Sequence, residues 1–131
     1  MTNTQTLTFH ARSVVLDHPD GFCYLLGFAD DPDNPERYLL LQRDFEALEA
    51  VEEAPGYYLE WCDPEHGGWG GVDTVTQAAD AVTLTFEAAV GEMLGLRCLT
   101  ITFDAGSVDD ATLAARLERM FRDCGVRLSL L

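Results

Sequence analysis

Hydrophobic and polar residues alternate along most of the chain, which is the pattern of β-strands with one buried face. Residues 7–15 show it first, with Leu7, Phe9 and Val15 expected to face the core. Alternating or continuously apolar segments recur and are separated by turn-forming residues, and we predict them as strands: 22–29, 37–43, 57–62, 72–77, 81–87 and 96–104. The pattern predicts a curved, mostly antiparallel sheet of six to eight strands.

The C-terminal part of the chain changes to a helical period. Apolar residues at 113, 117, 120, 121 and 124 mark one face of a helix over residues 109–123, and arginines at 116, 119 and 122 mark the other. Ser107 is the expected N-cap and Gly125 the expected end. We predict that this helix packs on a face of the sheet, with a helical turn at 88–95 and a short edge strand after residue 125.

A second helical segment is strongly acidic. Phe45, Leu48 and Val51 recur at three-residue intervals, and the acids between them are Asp44, Glu46, Glu49, Glu52 and Glu53. A short amphipathic helix ending at Pro55 and Gly56 fits this spacing. Its acidic surface is either an ordinary solvated face or a docking strip for a basic partner.

These elements define the fold class. A chain of 131 residues with 47% hydrophobic residues has the size and composition of one domain with one core. We therefore predict a single α+β domain over residues 1–131.

The charge balance limits the partners. The chain has 23 acidic residues against 8 basic ones, all arginine, and a formal net charge of -15. Proteins that bind nucleic acids or anionic membranes need cations, so neither is expected as a partner. A basic protein is favoured, although such a charge also serves solubility alone. Homo-oligomers remain possible.

Cysteine spacing and the N-terminal residues bear on location. The four cysteines are far apart and include no CxxC pair, and the chain starts without a basic head followed by an apolar run. No apolar stretch approaches the ~20 residues of a membrane span. Reduced thiols and a cytoplasmic location are the simplest interpretation.

Residues 60–71, EWCDPEHGGWGG, combine several residue types that carry chemistry. Cys62, Asp63, Glu65 and His66 are zinc-ligand types, but no second half of a four-ligand site is visible. The glycines lack the lysine and the following helix of a phosphate loop. No catalytic motif is present. We expect no metal, cofactor or enzymatic activity, and we interpret the segment as a glycine-rich connection between strands.

The order of motifs from the second strand onward resembles a bacterial family of polymorphic-toxin immunity proteins, the immunity protein 10 family. GYYLEWCD and HGGWGG, at residues 56–63 and 66–71, carry the resemblance most specifically. The other motifs are GFADD at 27–31, LLLQR at 39–43, AAVGEMLGL at 88–96, LTITFD at 99–104 and ATLAARLERMF at 111–121.

The resemblance implies a non-enzymatic cytoplasmic protein that binds and neutralises a cognate toxin domain. The partner-binding residues that we expect are the acidic strip at Asp44, Glu46, Glu49, Glu52 and Glu53, together with Asp63, Glu65 and Trp69. Trp69 either anchors the partner or folds back over its own sheet. The alternative function is a small-molecule-binding or housekeeping domain with a pocket lined by Tyr57, Trp61 and Phe103.

Overall fold

The computed structural model describes residues 5–17, 23–44, 56–122 and 124–130. In this part of the chain it contains two five-stranded sheets and two helices. The elements are β1 (Gln5–Ala11), β2 (Ser13–Asp17), β3 (Cys23–Ala29), β4 (Tyr38–Asp44), β5 (Tyr58–Trp61), β6 (Asp63–Trp69), β7 (Val72–Ala78), β8 (Ala81–Phe86), α1 (Ala88–Leu94), β9 (Leu96–Phe103), α2 (Asp110–Phe121) and β10 (Arg127–Ser129). The predicted α+β class with a C-terminal helix is confirmed, although the strands divide between two sheets.

The first sheet has the strand order β1-β9-β8-β7-β10. Its three central strands form an antiparallel meander in which β7 pairs with β8 and β8 with β9. Both edge strands are parallel to their neighbours, because β1 runs with β9 and β10 runs with β7. The predicted C-terminal edge strand is therefore confirmed as β10.

The second sheet has the order β2-β3-β4-β5-β6, so each strand pairs with the next one in the chain. All four pairings are antiparallel. Strands β3, β4 and β5 lie at its centre, while β2 and β6 form its edges.

One residue decides how the first predicted strand divides. Arg12 interrupts the ladder between β1 and β2, and its N–H donates to Ala29 O at 2.9 Å. The interruption moves the chain from one sheet to the other and reverses which residues face inward. Val14 packs against the core, whereas Val15, which the alternation had placed inside, is 41% exposed. The prediction of one continuous strand with Val15 inside was wrong.

The inner faces of the two sheets share one hydrophobic core. Phe9 on β1 lies 5.7 Å from Trp61 on β5, measured between ring centroids. Phe28 on β3 stacks on Phe103 on β9 at 6.4 Å. These aromatic pairs link strands from different sheets and so fix the sheets against each other.

Helix α2 is contacted by both sheets. Its buried residues are Leu113, Leu117, Met120 and Phe121, as its periodicity predicts. The Phe121 ring meets the Tyr57 ring edge to face at 4.9 Å, and Gln77 on β7 donates through Nε2 to Asp110 O at 2.9 Å.

The start of α2 differs from the prediction. Asp109 is its N-cap, and its carboxylate accepts hydrogen bonds from the N–H and the hydroxyl of Thr112. Ser107, the expected cap, instead donates to Asp104 O within the preceding turn. Asp109 is the N-cap because it directly precedes the helix, so its carboxylate reaches the N–H groups of the first turn.

Two of the arginines expected on the outer side of α2 face the second sheet. The guanidinium carbons of Arg116 and Arg119 lie 5.0 and 5.4 Å from the centroid of the Tyr24 ring. Arg116 also donates to Leu25 O. Long arginine side chains can reach back over a neighbouring element. The side of α2 that carries these arginines therefore contacts the second sheet and does not face solvent alone.

Candidate functional site

The glycine-rich segment is largely a strand, so its interpretation as a connection was wrong over most of its length. A tight turn at Cys62, which has a left-handed backbone with φ of 59°, sends the chain back along β5 as β6. Only Gly70 and Gly71, with φ of 78° and 104°, form the connection to β7. Trp69 consequently belongs to an edge strand rather than to a loop.

Strand β6 is irregular, which affects how a partner could use it. Glu60 pairs with Gly67 while Trp61 pairs with Asp63, so residues 64–66 bulge away from the ladder. Pro64 lies in this bulge and has no N–H to donate. Bulges and prolines hinder the addition of a further strand at an edge. The face of this sheet is therefore better suited to contact than its β6 edge.

The outer face of the second sheet is largely apolar, small or aromatic. Alternation and register place these residues on it: Ser13, Val15, Leu25, Gly27, Ala29, Tyr38, Leu40, Gln42, Tyr58, Glu60, Gly67 and Trp69. Glu60 is the charged side chain among these, and the same register continues to Asp17 and Asp44, whose side chains lie outside the described residues. Solvent-facing apolar surfaces of this kind are typical of interaction sites.

Glu60 is held by tyrosines on two strands. Tyr58, two residues before it on β5, donates its hydroxyl to Oε1 at 2.7 Å. Tyr38 on β4 donates its hydroxyl to Oε2. Each carboxylate oxygen therefore has one neutral donor, and the two bonds fix the orientation of the carboxylate on the sheet.

The Tyr58 ring crosses onto β6 above a glycine. A Cβ built on Gly67 would lie 2.9 Å from Tyr58 Cζ, which is too close for a side chain. Beside it, the Trp69 ring meets the Tyr58 ring edge to face at 5.9 Å. We call Tyr38, Tyr58, Glu60 and Trp69 together the aromatic patch.

Trp69 both contacts its own sheet and remains exposed to solvent. The side chain contacts Tyr58 on its own sheet, yet it is 58% exposed. An edge-to-face contact with Tyr58 restricts the indole while leaving much of its surface accessible. A large aromatic side chain held in this way loses little conformational entropy when a partner covers it.

The carboxylate and the hydrophobic environment both favour neutral tyrosines in the patch. The pKa of Tyr38 is raised well above its usual value, first by burial and then by its hydrogen bond to Glu60. The pKa of Tyr58 is raised mainly by its hydrogen bond to Glu60. Both hydroxyls therefore remain donors throughout the neutral pH range.

Three of the predicted partner-binding residues lie on β6. Asp63 and Glu65 are exposed, and Asp63 accepts a hydrogen bond from the Glu65 N–H at 2.9 Å. They lie on the same strand as Trp69, which belongs to the aromatic patch. The acids at 46, 49, 52 and 53 lie outside the described residues. Asp44 is the last residue of β4, but its side chain is not among those described.

Sequence reasoning did not select Tyr38, Tyr58 or Glu60 as partner-binding residues. The alternation in GYYLEWCD did separate Tyr58 and Glu60 from the core-facing Tyr57, Leu59 and Trp61. The alternation did not predict that β4 pairs with β5. This pairing brings the Tyr38 hydroxyl to the Glu60 carboxylate. The available signal was a glutamate two residues after an outward-facing tyrosine.

The outer face of the first sheet has a different character. Its cross-strand pairs are rich in threonine, as in Thr76 with Thr83 and Thr83 with Thr100. His10 adds contacts to Thr102 and Asp104 at 2.9 and 3.0 Å. This face presents small hydroxyl groups rather than large aromatic side chains.

The residues of the alternative function are arranged differently from what a binding pocket needs. Tyr57, Trp61 and Phe103, the expected pocket lining, belong to the core cluster, where their rings pack on other aromatic rings. His66, one of the zinc-ligand residue types, is exposed on the bulge of β6. Within the described residues, no group of three or more His, Cys, Asp or Glu side chains could hold a metal ion.

Neither helix in the described ranges combines the length and the apolar character that crossing a bilayer requires.

Comparison with known proteins identifies the family. A search of curated proteins finds no match. The family model described as Immunity protein 10 matches residues 10–114, which include β2 to β9, the whole aromatic patch and the start of α2. The match covers most of the chain, and it agrees with the motif order in GYYLEWCD and HGGWGG. The chain belongs to the Immunity protein 10 family.

Proposed function

We propose that this protein binds a cognate toxin domain stoichiometrically and neutralises it, with the outer face of the second sheet as its contact surface. Membership of an immunity protein family supports the role in general. The aromatic patch is the observation that supports this surface, since it combines an exposed tryptophan, two tyrosines and one carboxylate.

The chemistry of the patch fits a binding hot spot. Tryptophan and tyrosine contribute much of the binding energy of protein interfaces, particularly where smaller groups surround them and exclude water. Val15, Gly27 and Leu40 continue from Glu60 across the sheet in one row of paired residues. A partner that covers this row would bury apolar surface around a central polar group.

The charge of the chain points to a basic partner. A net charge of -15 produces a negative potential that attracts cationic proteins and accelerates their association. Asp63 and Glu65 add exposed negative charge beside the patch. The acidic strip at Asp44, Glu46, Glu49, Glu52 and Glu53 supplies a second candidate region for attraction. Neutralisation would take place in the cytoplasm of the producing cell.

Growth rescue tests the proposal. A candidate toxin domain, taken from the genes that adjoin the gene of this protein, is induced in a sensitive bacterial host, with and without co-expression of the immunity protein. We expect growth to be restored, and we expect the two proteins to copurify in a one-to-one complex. Continued growth arrest together with the absence of a complex would contradict the proposed function.

A further inference from the structure

Within the described residues, no cationic side chain forms an ion pair with the Glu60 carboxylate. All eight arginines lie in these residues, and the chain has no lysine. The ion pairs found there join His10 to Asp104, Glu118 to Arg122 and Asp73 to Arg127. The hydrogen-bond partners of the carboxylate in this part of the chain are two neutral tyrosine hydroxyls.

The carboxylate also retains unused hydrogen-bonding capacity. An ionised carboxylate has about four acceptor positions, of which the tyrosines occupy two here. Since Glu60 is half-buried on the outer face, the remaining positions are available to a group that approaches from solvent. The two tyrosine bonds hold the carboxylate ready for it.

Aromatic rings border this carboxylate. The rings of Tyr58 and Trp69 lie side by side on the same face, and Tyr38 approaches from β4. A guanidinium group is planar, binds carboxylates through paired N–H donors and stacks on aromatic rings, whereas an ammonium group is a compact, strongly hydrated charge. The same chain places Arg116 and Arg119 over the ring of Tyr24, so guanidinium-on-tyrosine contacts already occur in this fold.

We propose that the aromatic patch is an arginine receptor: one arginine of the toxin domain binds the Glu60 carboxylate and packs its guanidinium plane against the neighbouring aromatic rings. The inference rests on the proposed toxin-binding function. It names an arginine side chain as the group of the toxin that contacts the aromatic patch. Tyr38 and Tyr58 act as positioning residues that orient the carboxylate.

The test uses the immunity protein and an inactivated form of the toxin domain that it protects against in the growth assay, with affinity measured by calorimetry. Glu60→Gln removes the charge at the patch, and Glu92→Gln removes the same charge from an exposed position on α1, outside the proposed contact surface. We expect Glu60→Gln to weaken binding at least about 10-fold, because a charge pair loses one partner. Glu92→Gln should stay within about threefold, because it alters only the long-range attraction. Thermal unfolding of both variants verifies that the fold is retained.

Arginine-to-alanine substitutions in the toxin identify the toxin residue that contacts Glu60. One arginine-to-alanine change should weaken binding at least about 10-fold against wild-type immunity protein but less than about threefold against Glu60→Gln, since coupled residues are not additive. Absence of binding by the wild-type protein would contradict the proposed function and the inference together. Retention of wild-type affinity by Glu60→Gln, or coupling of Glu60 to a lysine instead, would overturn the inference alone.

Discussion

The ring of Tyr58 lies where a side chain on Gly67 would have to be. A Cβ at residue 67 would approach Tyr58 Cζ to 2.9 Å, and it would come closer still to the hydroxyl that binds Glu60. The same Cβ would lie 3.1 Å from Pro64 O. The first glycine of HGGWGG is therefore a packing requirement of the aromatic patch.

Substitution of this glycine should disturb the patch more than the fold. In Gly67→Ala, Tyr58 has to move, and we expect loss of its bond to Glu60, which costs about 1 kcal/mol of toxin-binding free energy. Gly68→Ala is the matched control, because a Cβ there meets no atom within 4 Å. Calorimetric titration of both variants with the toxin domain provides the comparison. Equal affinities for the two would show that the position of Tyr58 is irrelevant to binding.

Tyr57 has a structural role that can be tested through pH. Its hydroxyl oxygen accepts a hydrogen bond from the Val72 N–H at 2.9 Å inside the core. Tyr57→Phe leaves that buried N–H without its acceptor, so we expect the free energy of unfolding to fall by about 1–3 kcal/mol at pH 7. Denaturant unfolding at pH 7 measures the loss. A loss below the measurement error would contradict this role for the hydroxyl.

The alkaline range gives a second signature of the same residue. Burial raises the pKa of Tyr57 from 10.0 to about 12, so the neutral phenol is favoured in the folded state. Its contribution to stability is complete below pH 10 and is lost as the pH rises through the interval to about 12. Denaturant unfolding between pH 9 and 12 should show a steeper decline for the wild type than for Tyr57→Phe. Parallel curves would indicate that Tyr57 titrates normally.

Arg43 stabilises the end of α2 from the second sheet. Its Nη1 atom lies 2.6 Å from Arg122 O and 3.1 Å from Met120 O, so it satisfies carbonyls that a helix end leaves without partners. Arg43→Ala should lower the free energy of unfolding by about 1.5–3 kcal/mol, since a charged hydrogen-bond donor is removed. Arg97→Ala, at an exposed position, should change it by less than about 0.5 kcal/mol. Comparable losses in the two variants would refute a capping role.

The acidic strip is expected to act on association kinetics. Simultaneous charge reversal of Glu46, Glu49 and Glu52 should lower the association rate constant of the toxin complex about 10-fold at low salt, because long-range attraction weakens. The difference should shrink as ionic strength rises and charges are screened. Stopped-flow association at two salt concentrations measures both effects. A variant with a changed dissociation rate and an unchanged association rate would place these acids in direct contact instead.

Sequence reasoning predicted the local structure better than the arrangement of the sheets. Alternation identified the core-facing residues of β8 and β9, and helical periodicity identified the buried face of α2, because each pattern follows directly from side-chain direction. Neither pattern states which strands pair. The transfer of the chain between sheets at Arg12 depends on one backbone interruption that leaves no mark in hydropathy.

The candidate site shows the same limit. Trp69 and its acidic neighbours could be selected from composition, but the patch depends on contacts between strands. Tyr38 and Glu60 are 22 residues apart in the chain, and only the β4–β5 ladder brings them together. Likewise, HGGWGG suggested a loop because glycine is common in turns, whereas Gly67 serves a close packing contact within a strand.

Binding of the toxin to the outer face of the second sheet can be tested by placing an arginine side chain on the outer face of each sheet in turn. Trp69→Arg alters the aromatic patch, and Thr76→Arg makes a matched change at an exposed position on the outer face of the first sheet. Toxin activity is titrated with wild-type protein and both folded variants. We predict full inhibition at a one-to-one ratio by the wild type and by Thr76→Arg, with at least about 10-fold weaker inhibition by Trp69→Arg. Unimpaired inhibition by Trp69→Arg, together with its loss in Thr76→Arg, would contradict the account and assign the toxin to the threonine face.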